Sequence, residues 1–319
     1  MAHYRIYGGL LATNLEFSLM DRVGVGEDVD SGRPLFRIYA GETDPFPIEP
    51  VQWFHDHHAA GDHLPWLKLG RGDSGYYFSF HGRNRYLLDP SGSQVAIQSG
   101  KLDAAGVNSR ELQLLGTVLP LTLAFQGHTC LHSSAVRFGE QAAIFLGQSC
   151  AGKSTLANYL VGQGFPLIAD DCVLLESDQG AVLAHPGYPA IRLRDQPAGR
   201  NLQISGKWVV TSDRDSFAGE IGGIPVGAVF VLGESYNVSL SRYSLRDAQA
   251  ALTKHAFRLD PDDRASLRRE FETLAKLSSN LPVFELSYPR RWSCFPQVAE
   301  AIAGEIGDPW GMDNVAMGA

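Results

Sequence analysis

Hydrophobic and polar residues alternate in short runs over the first third of the chain, which predicts strands joined by tight turns. The segments Gly75–Phe80 (GYYFSF) and 85–88 (RYLL) are rich in aromatic and aliphatic residues, as strands are. Turn-forming residues follow each of them, at 81–84 (HGRN) and 89–92 (DPSG). We therefore predict a smaller, β-rich N-terminal domain over residues 1–105, with antiparallel strands.

A mostly apolar segment at 109–125 carries leucines at near-helical spacing, which predicts a helix. Pro120 lies inside it and lacks a backbone N–H, so we expect the helix to kink or divide there. Because few of its positions are polar, we expect this linking helix, over residues 106–127, to be buried between the two halves of the chain. The recurring leucines are Leu112, Leu115, Leu119 and Leu123.

From residue 128 onwards the pattern changes to strands alternating with helices. Apolar runs at Ser134–Phe138 and 142–146 predict a hairpin, and a helix follows from Lys153 to about residue 161. This alternation predicts an α/β domain over residues 128–306, followed by a Gly-rich, loose tail at 307–319. Further strands are expected at 165–169, 173–176, 226–232, 238–243 and 283–286, and further helices after Ser244, from Pro261 to about 279, and at 296–306.

Composition narrows the classes of partner. The chain is 44% hydrophobic and 19% charged, so it can bury a core, and its net charge of -8 argues against a general nucleic-acid partner. Four scattered cysteines with no CxxC pair argue against a zinc knuckle or a disulfide framework. No signal peptide and no apolar run of roughly 20 residues is visible. We therefore expect a cytoplasmic protein with no membrane partner.

One segment matches the full phosphate-binding pattern G-x-x-x-x-G-K-S. In such a loop the glycines let backbone N–H groups point at phosphate oxygens, and the following helix N-terminus adds positive potential. Lys153 would reach the β- and γ-phosphates, and the Ser154 hydroxyl would bind magnesium. The cofactors expected are therefore ATP and Mg²⁺. The nucleotide-binding residues expected are Gly147, Gln148, Ser149, Cys150, Ala151, Gly152, Lys153, Ser154 and Thr155.

Two adjacent aspartates, Asp170 and Asp171, follow the predicted strand 165–169, which we expect to lie beside the strand leading into the phosphate loop. An aspartate at such a position holds magnesium in P-loop enzymes. With one carboxylate on the metal, the other can act as a general base on an acceptor hydroxyl. The alternative is a polar turn that begins the next strand.

The segment 131–175, LHSSAVRFGEQAAIFLGQSCAGKSTLANYLVGQGFPLIADDCVLL, resembles the catalytic core of HPr kinase/phosphorylase. The phosphate loop of ATP-dependent phosphoenolpyruvate carboxykinase is arranged similarly. The likeness is closer to HPr-kinase-like proteins found beside ribosomal-peptide biosynthesis genes, including lasso-peptide kinases, and it covers roughly residues 128–306. Stretches at 185–194 (HPGYPAIRLR), 205–209 (SGKWV), 245–248 (LRDA) and 286–289 (LSYP) also look like that subgroup.

The resemblance implies an HPr-kinase/PEP-carboxykinase-like P-loop core, a mixed β-sheet with helices, that phosphorylates serine. It implies that His132 lies near the transferring phosphate, that Asp170 is the catalytic base and that Asp171 binds magnesium. The implied acceptor is a lasso-type precursor peptide. HPr kinases form hexamers, so the resemblance allows a homo-oligomer, although no residue here fixes the number of subunits.

Three positions depart from the HPr kinases, which carry Asp and Gly where this loop has Gln148 and Cys150, and Glu where it has Thr155. Their C-terminal Gly-Arg-Asn signature is also missing. These departures weaken the case for HPr itself as substrate and for the phosphorylase back-reaction.

Several other residues have two interpretations. The cluster at 55–63 (HDHHAAGDH) is either a metal site or, as we favour, a solvated loop. Cys150 is either redox-active or, more in keeping with its position, a small filler. Arg192 and Arg194 either neutralise phosphate charge or cover a surface strand, and Lys207 is similar. The aromatic residues Trp53, Trp66, Tyr76 and Tyr77 either bind an extended peptide or fill the small domain's core.

Three functions remain open at this point. The first is a Mg-ATP-dependent serine kinase acting on a peptide. The second is a kinase of the same fold with a small-molecule acceptor. The third is a non-catalytic ATP-binding regulator, which the aspartate pair disfavours because a sensor needs no base.

Overall fold

The computed structural model describes residues 1–21, 34–43, 46–57, 65–81, 84–98, 109–195, 202–204, 207–213, 215–219 and 222–307. Over these residues the chain forms a mixed α/β protein with three sheets and few helices. None of the helices in these ranges is long and apolar enough to cross a membrane.

The N-terminal region forms an eight-stranded sheet in the order β1-β2-β3-β8-β7-β6-β5-β4. The expected strands at 75–80 and 85–88 are confirmed, but the purely antiparallel pairing is wrong, because β3 runs parallel to both of its neighbours. The long connection 14–36 between β2 and β3 lets the chain return in the same direction. The elements are β1 Ala2–Ile6, β2 Gly9–Thr13, α1 Ser18–Asp21, β3 Arg37–Glu42, β4 Gln52–His57, β5 Leu67–Gly72, β6 Gly75–Phe80, β7 Asn84–Leu88 and β8 Gln94–Ile97.

The helix at 109–125 is divided into α2 Ser109–Gln113, a π-helical segment Leu114–Val118 and α3 Leu119–Phe125. Pro120 lies in the first turn of α3, so the expected division is confirmed. The backbone stays helical across this division, because Val118 and Leu119 both have helical dihedral angles and Leu119 N donates to Leu114 O. The leucines of this helix are buried, and each such burial stabilises the fold by about 1.5–3 kcal/mol.

The second sheet has nine strands, with the continuous order β12-β10-β11-β18-β14-β13-β9. Strand β20 pairs with β18 and β19, and three short strands form a separate sheet in the order β15-β17-β16. The elements are β9 Thr129–Leu131, β10 Ser134–Phe138, β11 Gln141–Leu146, α4 Lys153–Gly162, β12 Leu167–Ala169, β13 Val173–Asp178, β14 Ala181–His185, β15 Ala190–Leu193, β16 Leu202–Ile204, β17 Lys207–Thr211, β18 Ile224–Glu234, β19 Ser239–Arg242, α5 Leu245–His255, α6 Arg264–Asn280, β20 Val283–Tyr288 and α7 Phe295–Ile306.

The directions of the strands determine which segments lie together at one edge of this sheet. β11, β18 and β20 are parallel, so their carboxyl ends lie at the same edge. The sequence led us to expect β12 beside β11, but β10 of the hairpin lies between them. Since β12 and β11 are each antiparallel to β10, they share a direction. Asp170 therefore still leaves its strand at the edge where the 147–152 loop begins.

Two other expectations need correction. The helix expected from Pro261 begins at Arg264, because Asp263 caps it by accepting from Ala265 N and Ser266 N, both at 3.1 Å. Residues 55–57 of the histidine cluster belong to β4 rather than to a loop, whereas 58–63 lie outside the described residues. The tail beyond Gly307 also lies outside them. By contrast, the helix expected after Ser244 is confirmed as α5, and Ser244 caps it, with Asp247 N donating to Ser244 Oγ at 3.2 Å.

The N-terminal sheet shares a hydrophobic core with the helix 109–125 and with the strands behind the aspartate pair. Buried Tyr7, at the β1–β2 turn, donates its hydroxyl to Leu115 O at 3.2 Å and its N–H to Pro186 O at 2.7 Å. Buried Glu111 accepts from Leu19 N at 2.8 Å. The N-terminal sheet therefore supports the backbone around residues 186–190.

Candidate active site

The 147–152 loop joins β11 to α4, as the pattern of the sequence predicts. Gly147 has a φ of 158° and Gly152, the N-cap of α4, has a φ of 90°. A Cβ on Gly147 would lie 2.7 Å from Ala151 Cβ, so only glycine fits this turn. Ala151 N donates to Gln148 O at 3.0 Å, which closes the turn. The loop thus brings backbone N–H groups and the start of a helix together at the sheet edge.

Lys153, the first residue of α4, is buried rather than exposed on the loop. Its ammonium donates to Gly147 O at 2.8 Å and to Gln148 O at 3.2 Å. Burial lowers the pKa of Lys153 below its usual value, while the nearby charges of Asp170 and Asp171 oppose that shift. A buried ammonium bonded to neutral carbonyls leaves positive charge available to an anion at the loop.

Asp170 joins three parts of the chain. Its Oδ1 accepts from the hydroxyls of Ser154, at 2.9 Å, and Ser134, and its Oδ2 accepts from Arg192 N at 2.9 Å. Burial, followed by repulsion from Asp171, raises the pKa of Asp170 above its usual value, and these hydrogen bonds oppose that shift. Asp170 therefore ties the start of α4 to β10 and β15.

Asp171 has different partners and a strained backbone. Its φ is 64°, in the left-handed region that non-glycine residues rarely occupy. Its Oδ2 accepts from the Tyr188 hydroxyl at 3.0 Å and from Arg192 Nη1 at 3.1 Å. Burial opposes ionisation, but the positive charges of Arg192 and Lys207 hold the pKa of Asp171 well below its usual range. Asp171 is therefore a stable carboxylate, at 8% exposure compared with 1% for Asp170.

His132 lies next to Asp171 through the backbone. Its Nδ1 is 2.9 Å from Asp171 O, and because a carbonyl only accepts, Nδ1 carries the proton of the neutral ring. Its ring meets that of Phe257 edge-on, with centroids 6.0 Å apart. Burial, followed by repulsion from Lys153, lowers the pKa of His132, so the ring is neutral near pH 7. Its Nε2 is then an acceptor.

The fold therefore brings together Lys153, Ser154, Asp170, Asp171 and His132, which are separated by up to 39 residues along the chain. Arg192 belongs to the same cluster. Lys207 contributes to it through its charge.

Other residues named from the sequence lie outside this cluster. Arg194 follows the end of β15 at Leu193 and is exposed. Gln148, Ser149 and Cys150 are exposed on the loop, and Thr155 lies half-buried in the first turn of α4.

No pattern in the sequence marks three further residues of this region. Ser134 and Tyr188 bind the two aspartates, and Arg290, after β20, donates to Ala151 O of the loop. Tyr188 lies in the HPGYP stretch, so its position was visible in the sequence but its partner was not. Arg290 is 139 residues from its partner, and no local pattern marks such a contact.

The sheets and helices define a mixed α/β protein. No protein-family model and no curated protein matches the chain. Among solved structures, the HPr(Ser) kinase/phosphatase from Coxiella burnetii is similar, with a TM-score of 0.30 and 12% sequence identity. That match covers 55% of this chain and 93% of the other. At this TM-score and identity, the likeness assigns no function to this chain.

Proposed function

We propose that this chain is a Mg-ATP-dependent kinase that transfers the γ-phosphoryl group of ATP to a serine hydroxyl, on a lasso-type precursor peptide. The observation that carries the proposal is the 2.9 Å hydrogen bond from Ser154 Oγ to Asp170 Oδ1. It joins the phosphate-binding pattern and the aspartate pair, which the sequence suggested separately, into one site. A regulator that only senses ATP would need no second carboxylate beside Ser154 and Asp170.

Magnesium fits the oxygen atoms that Ser154 and Asp170 supply. A hydroxyl and a carboxylate oxygen are hard ligands of the kind that Mg²⁺ prefers, usually together with water and phosphate oxygens. We therefore assign the metal side of the site to Ser154 and Asp170, which exchanges the roles that the family resemblance implies for the two aspartates. The bound ion would neutralise charge on the phosphates.

Asp171 is the better candidate for contact with the acceptor. It keeps more exposure than Asp170, and its ion pair with Arg192 keeps it ionised. In the proposed reaction the serine oxygen attacks the γ-phosphorus, and the bond from that phosphorus to the β,γ-bridging oxygen breaks. The serine proton passes to Asp171, and ADP leaves with the bridging oxygen.

Two further side chains support this transfer electrostatically. The Lys153 ammonium donates to two carbonyls of the loop, and phosphate oxygens would replace these carbonyls as its partners. His132, neutral and with Nε2 as an acceptor, can hold an O–H group near Asp171 without adding charge. Both roles are those of groups that stabilise and orient rather than form covalent bonds.

The N-terminal sheet offers one surface for a peptide. Tyr77 and Tyr76 are held in packing, through hydroxyl contacts with Glu49 at 2.8 Å and Asp260 at 3.0 Å, so they fill the core rather than bind a ligand. β4 pairs only with β5 among the described strands, so it ends the sheet. An extended peptide can add to such an edge through main-chain hydrogen bonds.

The experiment is phosphoryl transfer by the purified full-length chain with Mg-ATP. A lasso-type precursor peptide with a serine near a flexible end should gain about 80 Da, one phosphoryl group. The matched control is the same peptide with that serine replaced by alanine, which should gain nothing. Phosphorylation of small hydroxyl metabolites, with refusal of every serine peptide, would favour the small-molecule kinase instead.

A further inference from the structure

A cleft of about 460 Å³ opens near the carboxyl ends of β18 and β20. Its volume is in the roughly 300–1,000 Å³ range of small-molecule sites. One aromatic ring, that of Tyr236, and several polar side chains are part of its lining, which comes from three separate elements: the turn after β18, the segment after β20 and the helix α7. The lining residues include Tyr236, Asn237, Pro289, Arg291, Gln297 and Glu300.

Sheet topology puts this cleft beside the 147–152 loop. β11, β18 and β20 are neighbouring parallel strands, and the loop leaves β11 at the edge where the cleft-lining segments leave the other two. Ligands of parallel sheets bind at this edge, outside the carboxyl ends of the strands. The Asp170–Asp171 pair leaves β12, on the opposite side of β11. A ligand lying across the loop would therefore have one end at the aspartates and the other at this cleft.

Arg290 links the cleft directly to the loop. Its Nη1 donates to Ala151 O, and its guanidinium lies 4.8 Å from the centroid of the Tyr288 ring. The next residue, Arg291, donates from Nε to Cys294 Sγ at 3.2 Å and lines the cleft. The segment after β20 is thus fixed against the loop on one side and forms the wall of the cleft on the other.

The lining groups match the nucleoside half of ATP. Tyr236 is 95% exposed, so its ring is free to stack on a base. The side-chain amides of Asn237 and Gln297 each provide a donor and an acceptor, as the polar edge of adenine does. The Glu300 carboxylate accepts hydrogen bonds of the kind that ribose hydroxyls donate. We infer that this cleft is the nucleoside-binding part of the nucleotide site, with Tyr236 stacking on the base and Glu300 holding the ribose.

This inference rests on the proposed function, and the experiment separates the two. Binding of Mg-ATP and of Mg-bound inorganic triphosphate, which lacks the nucleoside, is measured by calorimetry on the full-length chain. The wild-type chain should bind both, with ATP bound more tightly. Tyr236→Ala should weaken ATP binding by about ten-fold, since stacking on one aromatic ring contributes that much or more, and leave triphosphate binding unchanged. Glu300→Gln should act in the same direction.

Phe271→Ala is the matched control, because Phe271 is 56% exposed on α6 and does not line the cleft. It should change neither affinity. Equal wild-type affinities for ATP and triphosphate, or equal losses of both ligands in Tyr236→Ala and Glu300→Gln, would overturn the nucleoside site and leave the phosphate site standing. Failure of the wild-type chain to bind either ligand would overturn the proposed function itself.

Discussion

Ser154 Oγ donates to Asp170 Oδ1 across 2.9 Å, joining the first turn of α4 to the end of β12. Asp171, the next residue, turns its carboxylate to Arg192 and Tyr188 instead. This divergence occurs where the backbone of Asp171 has a left-handed conformation. Neighbouring carboxylates can in this way serve a metal and an acceptor separately.

Substitutions of the two aspartates should therefore have different effects on ATP binding and on kcat. Asp170→Asn should weaken magnesium-dependent ATP binding, because an amide is a poorer ligand for a hard cation. Asp171→Asn should keep ATP affinity within a few-fold and lower kcat by roughly 100-fold to 10,000-fold, the usual contribution of a general base. Titrating both variants with ATP over a range of magnesium concentrations, alongside single-turnover rates, measures this. The reverse pattern would restore the roles that the family resemblance implies.

Lys153 should be needed for phosphate binding. Lys153→Met keeps most of the buried side-chain volume and removes the charge, so the fold should persist while triphosphate affinity falls by about 100-fold or more, as for the loss of a key electrostatic group. Arg194→Met is the control, because Arg194 is an exposed cation just after β15. It should leave binding unchanged. Wild-type phosphotransfer by Lys153→Met would contradict the phosphate-loop assignment.

The Tyr188 hydroxyl offers a test of Asp171 that retains the carboxylate. Tyr188→Phe removes a buried hydrogen bond to a carboxylate and should cost about 1.5–3 kcal/mol of unfolding free energy. Tyr86→Phe removes a buried hydrogen bond to a neutral group, Arg110 O at 3.0 Å, in the N-terminal sheet and should cost about 1 kcal/mol. Urea unfolding should show a loss for both variants, the larger one for Tyr188→Phe, whereas only Tyr188→Phe should lower kcat. Equal kcat values in the two variants would show that Tyr188 acts in packing alone.

Cys150 occupies a backbone conformation suited to glycine. Its φ is 68°, and the side chain is exposed. Left-handed conformation costs a non-glycine residue roughly 1–2 kcal/mol, so Cys150→Gly should raise the unfolding free energy by about 1 kcal/mol after the added chain entropy of glycine is subtracted. Ser149→Gly is the control, since Ser149 is not among the described residues with positive φ, and it should be neutral or destabilising. A destabilised Cys150→Gly would argue for a specific role of the thiol.

Local patterns were sufficient to predict much of this architecture. The spacing of the two glycines in the 147–154 pattern is typical of a phosphate-binding loop, so the loop between β11 and α4 could be predicted from the sequence alone. The helix at 109–125 and the division before Pro120 follow equally from leucine spacing and the missing N–H.

Contacts between distant segments were beyond such patterns. The position of β12 beyond β10 depends on which edge of the hairpin the chain returns to, and either edge satisfies the same hydrophobic run. The parallel pairing of β3 depends on the path of a long connection. The burial of Lys153, which a loop lysine would not suggest, depends on carbonyls that the folded loop turns inward.

Acid stability should depend on buried His255, whose backbone O accepts from His132 N at 2.7 Å. Burial, with repulsion from Lys153, lowers the pKa of His255 from 6.5 to about 4. Because the folded pKa lies below the unfolded one, the unfolded chain binds this proton first as pH falls. The stability contributed by the neutral ring is complete above about pH 6.5 and is lost as pH falls towards 4.

The size of this effect is bounded by the shift, since each pKa unit corresponds to about 1.4 kcal/mol. The unfolding free energy should therefore fall by up to about 3 kcal/mol between pH 7 and pH 4 on account of His255. His255→Gln has no proton to gain, so urea unfolding of this variant should show a smaller drop between these pH values than the wild type does. His3→Gln, on partly exposed β1, is the control and should keep the full wild-type drop. An unchanged pH dependence in His255→Gln would mean that the acid sensitivity between these pH values comes from other buried histidines, such as His132 and His185, whose pKa values burial also lowers.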